Sequence, residues 1–382
     1  MRHEKLIKKF QTLKTPFYYY DVALLRKTLE ELKHQSSKRN YIVHYAVKAN
    51  SNKKILKIVK EFGLGTDCVS GNEILRSIEC GFNGDDIVFA GVGKSDEEII
   101  TGLKHCIFSF NVESVQELEI INSIAESMGI KANIALRINP NLDAKTHSYI
   151  TTGIKENKFG INQADLSLVV EKLSFYKNIK LNGLHFHVGS QVNDLNVFKN
   201  LCTKINEVQK WFNNHNIEFD YINTGGGLGV DYENPDENPI PDFNSFFSVF
   251  AKFLEMKSTQ HLHFELGRTL VAQSGLLVSK VLYIKEGANT NFVIIDAGMT
   301  ELIRPALYQS YHKIENLLSN GIKKRYDVVG PICETSDTFG KSVLLPETKR
   351  GDLIAIRTVG AYGEVMSSRY NLRPEIKSYF LE

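Results

Sequence analysis

From about residue 41 to 268, short apolar runs alternate with segments whose apolar residues recur at helical spacing. The runs are YIVHYAVKA, GTDCVS, DIVFAG, FSFNV, ANIALRINP, IKLNGLHFHVGS, FDYINTGGG and LHFELGR. Runs this short, bounded by turn-forming residues, read as buried strands. Between them, NKKILKIVKEFG puts Ile55, Ile58, Val59 and Phe62 on one helix face at i, i+3, i+4 and i+7. In SVQELEIINSIAESMG, Gly129 suits a helix C-terminus. Eight strand–helix units of this length predict a TIM (β/α)8 barrel rather than an open doubly wound sheet.

Beyond residue 270 the rhythm changes. LLVSKVLYIKE, NFVIIDAGM, YDVVGPIC and DLIAIRTVGAY are strand-like, with one helical stretch near 305–320. The pattern therefore predicts an α/β barrel over 25–268 and a β-rich C-terminal domain formed by 1–24 and 269–382. The early strand PFYYYD (16–21) is expected to pair with the barrel. Two connections, 140–160 and 230–242, are long for a compact domain, which marks them as functional or mobile. The first is expected to order over a bound substrate.

Composition narrows the class without choosing a reaction. The 382 residues are 42% apolar and 24% charged, with a formal net charge of +2, so no overall field points to nucleic acid or a membrane. No apolar run approaches the roughly 18–20 residues that span a bilayer, and no apolar segment follows the basic MRHEKLIKKF start. The five cysteines (Cys68, Cys80, Cys106, Cys202, Cys333) are odd in number, widely spaced and without a CxxC pair. That favours reduced thiols and a cytoplasmic location over disulfides or a zinc site.

Barrel active sites form at the C-terminal strand ends. The polar residues there are Lys48, Asp67 with Ser70, Arg137, His187 with Ser190, Gly225–Gly227, and Glu265 with Arg268. An amine, a flat ring, a glycine nest, a carboxylate and cations thus face one mouth. Each has a use with pyridoxal phosphate. A partly buried lysine forms a Schiff base with an aldehyde. TGGGLG offers consecutive backbone N–H groups to a phosphate, although a hairpin turn uses the same residues. A glutamate can keep a pyridine nitrogen protonated. His185 and His187 alternate onto one strand face; such a pair also fits a metal, but no third ligand follows at a suitable spacing. Ala46, two residues before Lys48, is the small neighbour that leaves a ligand room.

YAVKAN, HFHVGSQ, NTGGGLG and ELGR together resemble the motifs of the fold-type III pyridoxal-phosphate decarboxylases, whose barrel is alanine-racemase-like. RPALYQSYH, VVGPICETSD and GAYGEVMSSRYNLRP resemble the diaminopimelate decarboxylase branch of that family. The seven strings follow in order from TPFYYYD nearly to the C-terminus. The resemblance implies decarboxylation of meso-2,6-diaminoheptanedioate to L-lysine, with Lys48 as the Schiff-base lysine. It implies that His187 stacks on the cofactor ring and Glu265 pairs with its nitrogen. Asp67, Arg137, Ser190, Gly226, Gly227, Gly267, Arg268 and Tyr362 would complete the cofactor site. Arg268, Arg304, Tyr308 and Tyr362 would bind the carboxylate far from the reacting carbon, Glu334 the far ammonium, and Cys333 would lie beside the reacting centre. The Cys–Glu segment would reach the site from a partner subunit, implying a homodimer. One departure is visible: the family's EPGR is ELGR here, with Leu266 for proline. A site of the same fold for ornithine, arginine or carboxynorspermidine remains the alternative, although a diamine-type site has no use for Arg304. A non-catalytic fold homologue would not need Lys48, Cys333 and Glu334.

Overall fold

The computed structural model describes residues 4–142 and 158–381. The expectation for the 140–160 connection falls mostly outside them. The first strand, β1 (Phe17–Asp21), does not join the barrel. It pairs antiparallel with residues 275–278 and parallel with residues 377–381, which corrects the expected pairing. Its residues Phe17, Tyr18, Tyr19 and Tyr20 are all buried, so it is a two-sided core strand of the other sheet.

The barrel strands are β2 (Ile42–Ala46), β3 (Gly65–Cys68), β4 (Ile87–Phe89), β5 (Ser109–Val112), β6 (Ala132–Arg137), β7 (Ile179–His185), β8 (Tyr221–Asn223) and β9 (His261–Leu266). They pair in parallel in sequence order and close with β2 beside β9, as the alternation predicts. Most are buried at nearly every position because helices cover one face and the opposite wall the other. Phe264 on β9, for example, meets Phe246, Phe247 and Phe250 of the helix Phe243–Phe253 at ring distances of 5.6, 4.9 and 5.0 Å. Truncating one such ring to alanine costs about 3–5 kcal/mol.

Helices after barrel strands begin on side-chain caps. Asn52, Ser70, Ser95 and Ser114 accept from backbone amides two or three residues on. Each cap contributes about 1 kcal/mol and fixes the strand–helix loop that carries it. Ser70, grouped with the mouth residues in the sequence, is therefore engaged as a helix cap.

The chain divides into two compact units, Thr28–Gly229 with Asp242–Gly267, and Met1–Lys27 with Val230–Pro241 and Arg268–Glu382. Residues 230–241, which the sequence reading counts within 25–268, cluster with the second unit. That unit is built on an eight-stranded sheet of β1 with β10 (Gly275–Glu286), β11 (Asn291–Ile295), β12 (Ile314–Asn316), β13 (Lys323–Val329), β14 (Thr338–Pro346), β15 (Leu353–Arg357) and β16 (Lys377–Leu381). Phe10, Phe17, Tyr19, Val278 and Leu353 form one of its cores.

The helix expected near 305–320 is only Arg304–Tyr308. Pro305 starts it and Gln309, at φ 53°, ends it in the left-handed region. Ile314 then pairs with Ile356 across an antiparallel ladder, so sheet pairing overrides helical periodicity. The 230–242 connection is pinned rather than loose. Asp231 accepts from the amides of Glu233 and Asn234 at 2.9 and 2.8 Å and from Asn238 Nδ2 at 2.9 Å. Gln273 Nε2 donates to the carbonyls of Asp231 and Asn238 at 3.1 and 3.0 Å.

Candidate active site

In the barrel unit, Lys48 sits on the single turn Val47–Ala49 that follows β2. Its Nζ donates to Asp67 Oδ2 at 2.9 Å, and its side chain remains 39% exposed while Asp67 is fully buried. The lysine is thus anchored at the strand end with its amine at the mouth. Asp67 Oδ1 has no hydrogen-bond partner among the described residues. Burial, and then the Glu265 charge, push the Asp67 carboxyl up to about 6 against the pull of Lys48. Glu73, in the first turn of the helix Gly71–Glu79, is raised to about 7 by burial, opposed by the Val69 amide and by Lys48.

Glu265 on β9 is the most elaborately held group. Its Oε1 accepts from Asn111 Nδ2 at 3.0 Å and Asn223 Nδ2 at 2.8 Å, and its Oε2 meets His185 Nε2 at 2.9 Å. Burial alone would raise its pKa, but His185 and then Lys48 hold it below the ordinary carboxylate range. Three hydrogen bonds on a carboxylate leave room for one more donor on Oε2. Asn111, Asn223 and His185 come from β5, the end of β8 and the end of β7, and sequence reasoning missed all three as partners of Glu265. His185 opens the HFHVGSQ string and Asn223 the NTGGGLG string, but neither string pointed to Glu265, and Asn111 stands inside the short strand SFNV without a motif.

His187 lies two residues beyond the end of β7. Burial, then Arg137 and Lys48, depress its pKa well below 6.5, so the ring is neutral near pH 7. The Gly226 amide donates to its Nδ1 at 3.3 Å. Arg137 ends β6 and donates to Glu113 Oε1 at 2.5 Å; its guanidinium lies 4.9 Å from the Phe159 ring centre. Glu113, a fourth partner missed from sequence, also accepts from the amides of Gly91 and Gly160.

The glycine run is required by close approach. A Cβ on Gly225 would lie 2.4 Å from the Phe186 carbonyl, and one on Gly226 would lie 1.9 Å from the Glu265 carbonyl. Gly225 and Gly227 have φ of +69° and +111°. Among the described residues the amides of Gly227 and Leu228 donate to nothing. A Cβ on Gly267 would lie 3.0 Å from the Cβ atoms of Ala46 and Ala49, so small residues flank the turn that carries Lys48.

The other predicted residues lie in the strand-rich unit. Arg268 Nη1 donates to the Tyr232 hydroxyl at 2.6 Å, and its guanidinium lies 4.8 Å from the Tyr362 ring centre. The Arg304 guanidinium lies 5.7 Å from the Tyr308 ring and 5.9 Å from the Tyr362 ring. Its Nη2 reaches Ser310 Oγ at 3.3 Å, and its Nε is buried without a partner among the described residues. No carboxylate pairs with Arg304 among those residues, and burial, with Arg268 also opposing, lowers its pKa. Four predicted residues therefore meet: Arg268, Arg304, Tyr308 and Tyr362. Cys333 and Glu334 do not join them. Both are exposed on the turn after β13, where Glu334 bonds Ser336 and Tyr370. Among the described residues no group of three or more His, Cys, Asp or Glu side chains is placed to hold a metal ion.

Residues 22–272 match the family model described as "Pyridoxal-dependent decarboxylase, pyridoxal binding domain". A diaminopimelate decarboxylase of Bacteroides thetaiotaomicron is 54% identical over 98% of this chain and 97% of its own. One of Helicobacter pylori is 43% identical over 98% of this chain and 92% of its own. The crystal structure of the Helicobacter pylori enzyme complexed with L-lysine superposes with a TM-score of 0.93 at 42% identity, over 99% of this chain and 94% of that one.

Proposed function

We infer the reaction from one premise: this chain belongs to the diaminopimelate decarboxylases, within the pyridoxal-dependent decarboxylases. The reaction is release of CO2 from meso-2,6-diaminoheptanedioate, leaving L-lysine, with pyridoxal 5'-phosphate as cofactor. When bound, that cofactor supplies an aldehyde for an amine and a protonated ring that withdraws the electron pair left by CO2.

The residues of the barrel unit fit such a group. The glycine turn gives a phosphate unpaired amides and no side chain in the way. Lys48 offers a half-exposed amine, and Asp67 keeps one buried oxygen for a further donor. We assign Lys48 to the aldehyde, the neutral face of His187 to the ring, and Glu265 to its nitrogen. Ser190, Gly226, Gly227, Gly267 and Arg268 are assigned to the phosphate, with Asp67 and Arg137 beside the ring and Tyr362 as a further contact.

The observation that carries the reading is Glu265. A carboxylate held anionic by His185, Asn111 and Asn223 favours a proton on any ring nitrogen that meets its remaining lone pair. A racemase of this fold would gain nothing from such an anion. Arg304 supports the substrate assignment: a buried guanidinium lacking a carboxylate fits a substrate that brings one. Arg268, Tyr308 and Tyr362 share that task, and Glu334 is the matching anion for the far ammonium. Cys333 and Lys48 are the two groups able to deliver a proton to the carbon that loses CO2. The exposure of Cys333 and Glu334 suits a turn that serves a second copy of the chain, so we read the enzyme as a homodimer. Five free thiols, with no helix among the described residues long and apolar enough to cross a membrane, suit a cytoplasmic enzyme.

The decisive experiment measures CO2 from the purified protein with meso-diaminopimelate, lysine, ornithine and arginine in parallel. Release from diaminopimelate alone is expected. Release from ornithine with none from diaminopimelate overturns the substrate assignment.

A further inference from the structure

We propose that Glu364 is a positioning residue for Tyr362, holding that ring over the two guanidinium groups by fastening its turn to the strands β1 and β16. The proposal rests on the reading of Arg268, Arg304 and Tyr362 as the group that takes the substrate's far carboxylate.

Glu364 Oε2 accepts from the Tyr20 hydroxyl at 2.6 Å and Oε1 from the Ser378 hydroxyl at 2.6 Å. Tyr20 belongs to β1 and Ser378 to β16, neighbouring parallel strands in which Tyr18 stands opposite Ser378 and Tyr20 opposite Phe380. Strand alternation puts Tyr18 on the same face as Tyr20. Its hydroxyl donates to the Glu301 carbonyl at 2.7 Å.

Between Tyr362 and Glu364 lies Gly363, packed flush against this face. A Cβ there would fall 2.8 Å from the Tyr18 hydroxyl oxygen and 2.5 Å from the Val359 carbonyl. The turn therefore lies directly on Tyr18, with Glu364 as its clasp. Tyr362 itself has φ of +57°, a left-handed conformation that is unfavourable for a side-chain-bearing residue. A conformation of that kind persists only when its surroundings hold it. Two short hydrogen bonds to an anion are such a hold.

What they hold matters because of where the ring sits. Tyr362 is the residue whose ring faces both cations, at 4.8 Å from Arg268 and 5.9 Å from Arg304. Releasing the turn would move the ring from its place over the guanidiniums without touching Lys48, Asp67 or Glu265. The effect should fall on substrate affinity and spare the chemical step.

The test measures kcat and KM for meso-diaminopimelate, with melting temperature, in Glu364→Gln, Tyr20→Phe, Ser378→Ala and Arg304→Ala holoenzymes. KM is expected to rise about 5- to 10-fold in Glu364→Gln and about 2- to 3-fold in each hydroxyl variant, with kcat within twofold. Should Glu364→Gln fail to fold, Tyr20→Phe and Ser378→Ala carry the test, since each removes one oxygen. A merely structural role would lower the melting temperature and the active fraction while leaving KM alone. KM raised in Arg304→Ala but unmoved in the other three overturns the proposal alone. KM unmoved in Arg304→Ala as well overturns the arginine reading and the proposal with it.

Discussion

Glu265 and Arg304 are both buried charges, and they are provided for in opposite ways. Glu265 lies among its partners: two asparagine amides and a histidine ring occupy three of its acceptor positions. Arg304 lies among aromatic rings, one serine hydroxyl and a second arginine, with no carboxylate beside it among the described residues. Burying a charge is costly unless it is paired. A charge that has its partners is in its working state before any ligand arrives. One that lacks a counter-charge waits for the ligand to bring it. The comparison separates a permanent electrostatic fixture in the barrel unit from a recognition element in the strand-rich unit.

The largest effect should come from removing the fixture's charge. Glu265→Gln keeps the shape and most of the hydrogen bonding but abolishes the anion. Its kcat should fall about 10²–10³-fold, in the range seen when one preorganised electrostatic partner of a reacting group is lost, while KM moves little. Steady-state kinetics on the cofactor-loaded protein checks this. An unchanged kcat would make Glu265 a clamp of the barrel interior and erase the distinction.

Arg304→Lys should produce the converse pattern. Lysine keeps the charge but loses the planar fork that grips a carboxylate through two parallel hydrogen bonds. KM for diaminopimelate should rise about 100-fold, with kcat within a few-fold. If kcat falls as far as KM rises, Arg304 serves the transition state and is no mere recognition element.

The two regions also differ in how far the sequence revealed them. The barrel was legible because eight buried runs and their intervening helical faces repeat one unit, and parallel strands covered on both faces leave a strong apolar signal. Lys48, Asp67, Arg137, His187 and Glu265 could be placed at one mouth by strand ends alone. What held them could not. Asn111 and Glu113 carry no motif, Asn223 entered only as the start of the glycine string, and their pairings join residues 154, 42 and 24 positions from their partners. In the strand-rich unit even the elements were harder to read. Ile314 belongs to a helical pattern until Ile356 pairs with it, and Phe17–Asp21 belongs to whichever sheet closes over it. Arg304 and Tyr308 are an exception in that four residues apart on one helical turn is a purely local relation, and it brings the guanidinium 5.7 Å from the ring.

A third effect distinguishes the two settings by pH. His185 stands beside an anion, whereas His312 stands where Arg304 and Arg268 face it. Burial, and then Arg304, lower the His312 pKa to about 3, and its Nδ1 lies 3.0 Å from the Arg357 carbonyl. Its unfolded value is near 6.5. Below that pH the unfolded chain binds the proton more readily, so stability is complete above about 6.5 and declines as pH falls towards 3. The groups facing it include Tyr232, whose ring packs edge-on at 5.1 Å, besides the two arginines. His312→Asn should lower the melting temperature at pH 7 but flatten its decline between about pH 6 and 4, read by thermal denaturation across that range. A decline as steep as in the parent protein would place the acid sensitivity elsewhere, the buried His44–His263 pair being the next group to change.

The smallest effect asks whether Arg304 is truly unpaired in function. Its one side-chain hydrogen bond among the described residues, from Nη2 to Ser310 Oγ, spans 3.3 Å, long for a charge-assisted contact. If the guanidinium depends on the ligand for its counter-charge, the serine merely steadies the fork. Ser310→Ala should then raise KM by no more than about 2-fold with kcat unchanged, a loss of a few tenths of a kcal/mol. Asn223→Ala offers the matched measurement at Glu265, where a 2.8 Å bond to a buried carboxylate is lost. Its cost should fall on kcat and exceed the serine effect several-fold, because removing one fixed partner leaves an anion short of compensation in a dry interior. Equal effects at the two positions would mean that Arg304 depends on its protein partners as heavily as Glu265 does. A large serine effect confined to KM would instead make Ser310 part of the carboxylate site.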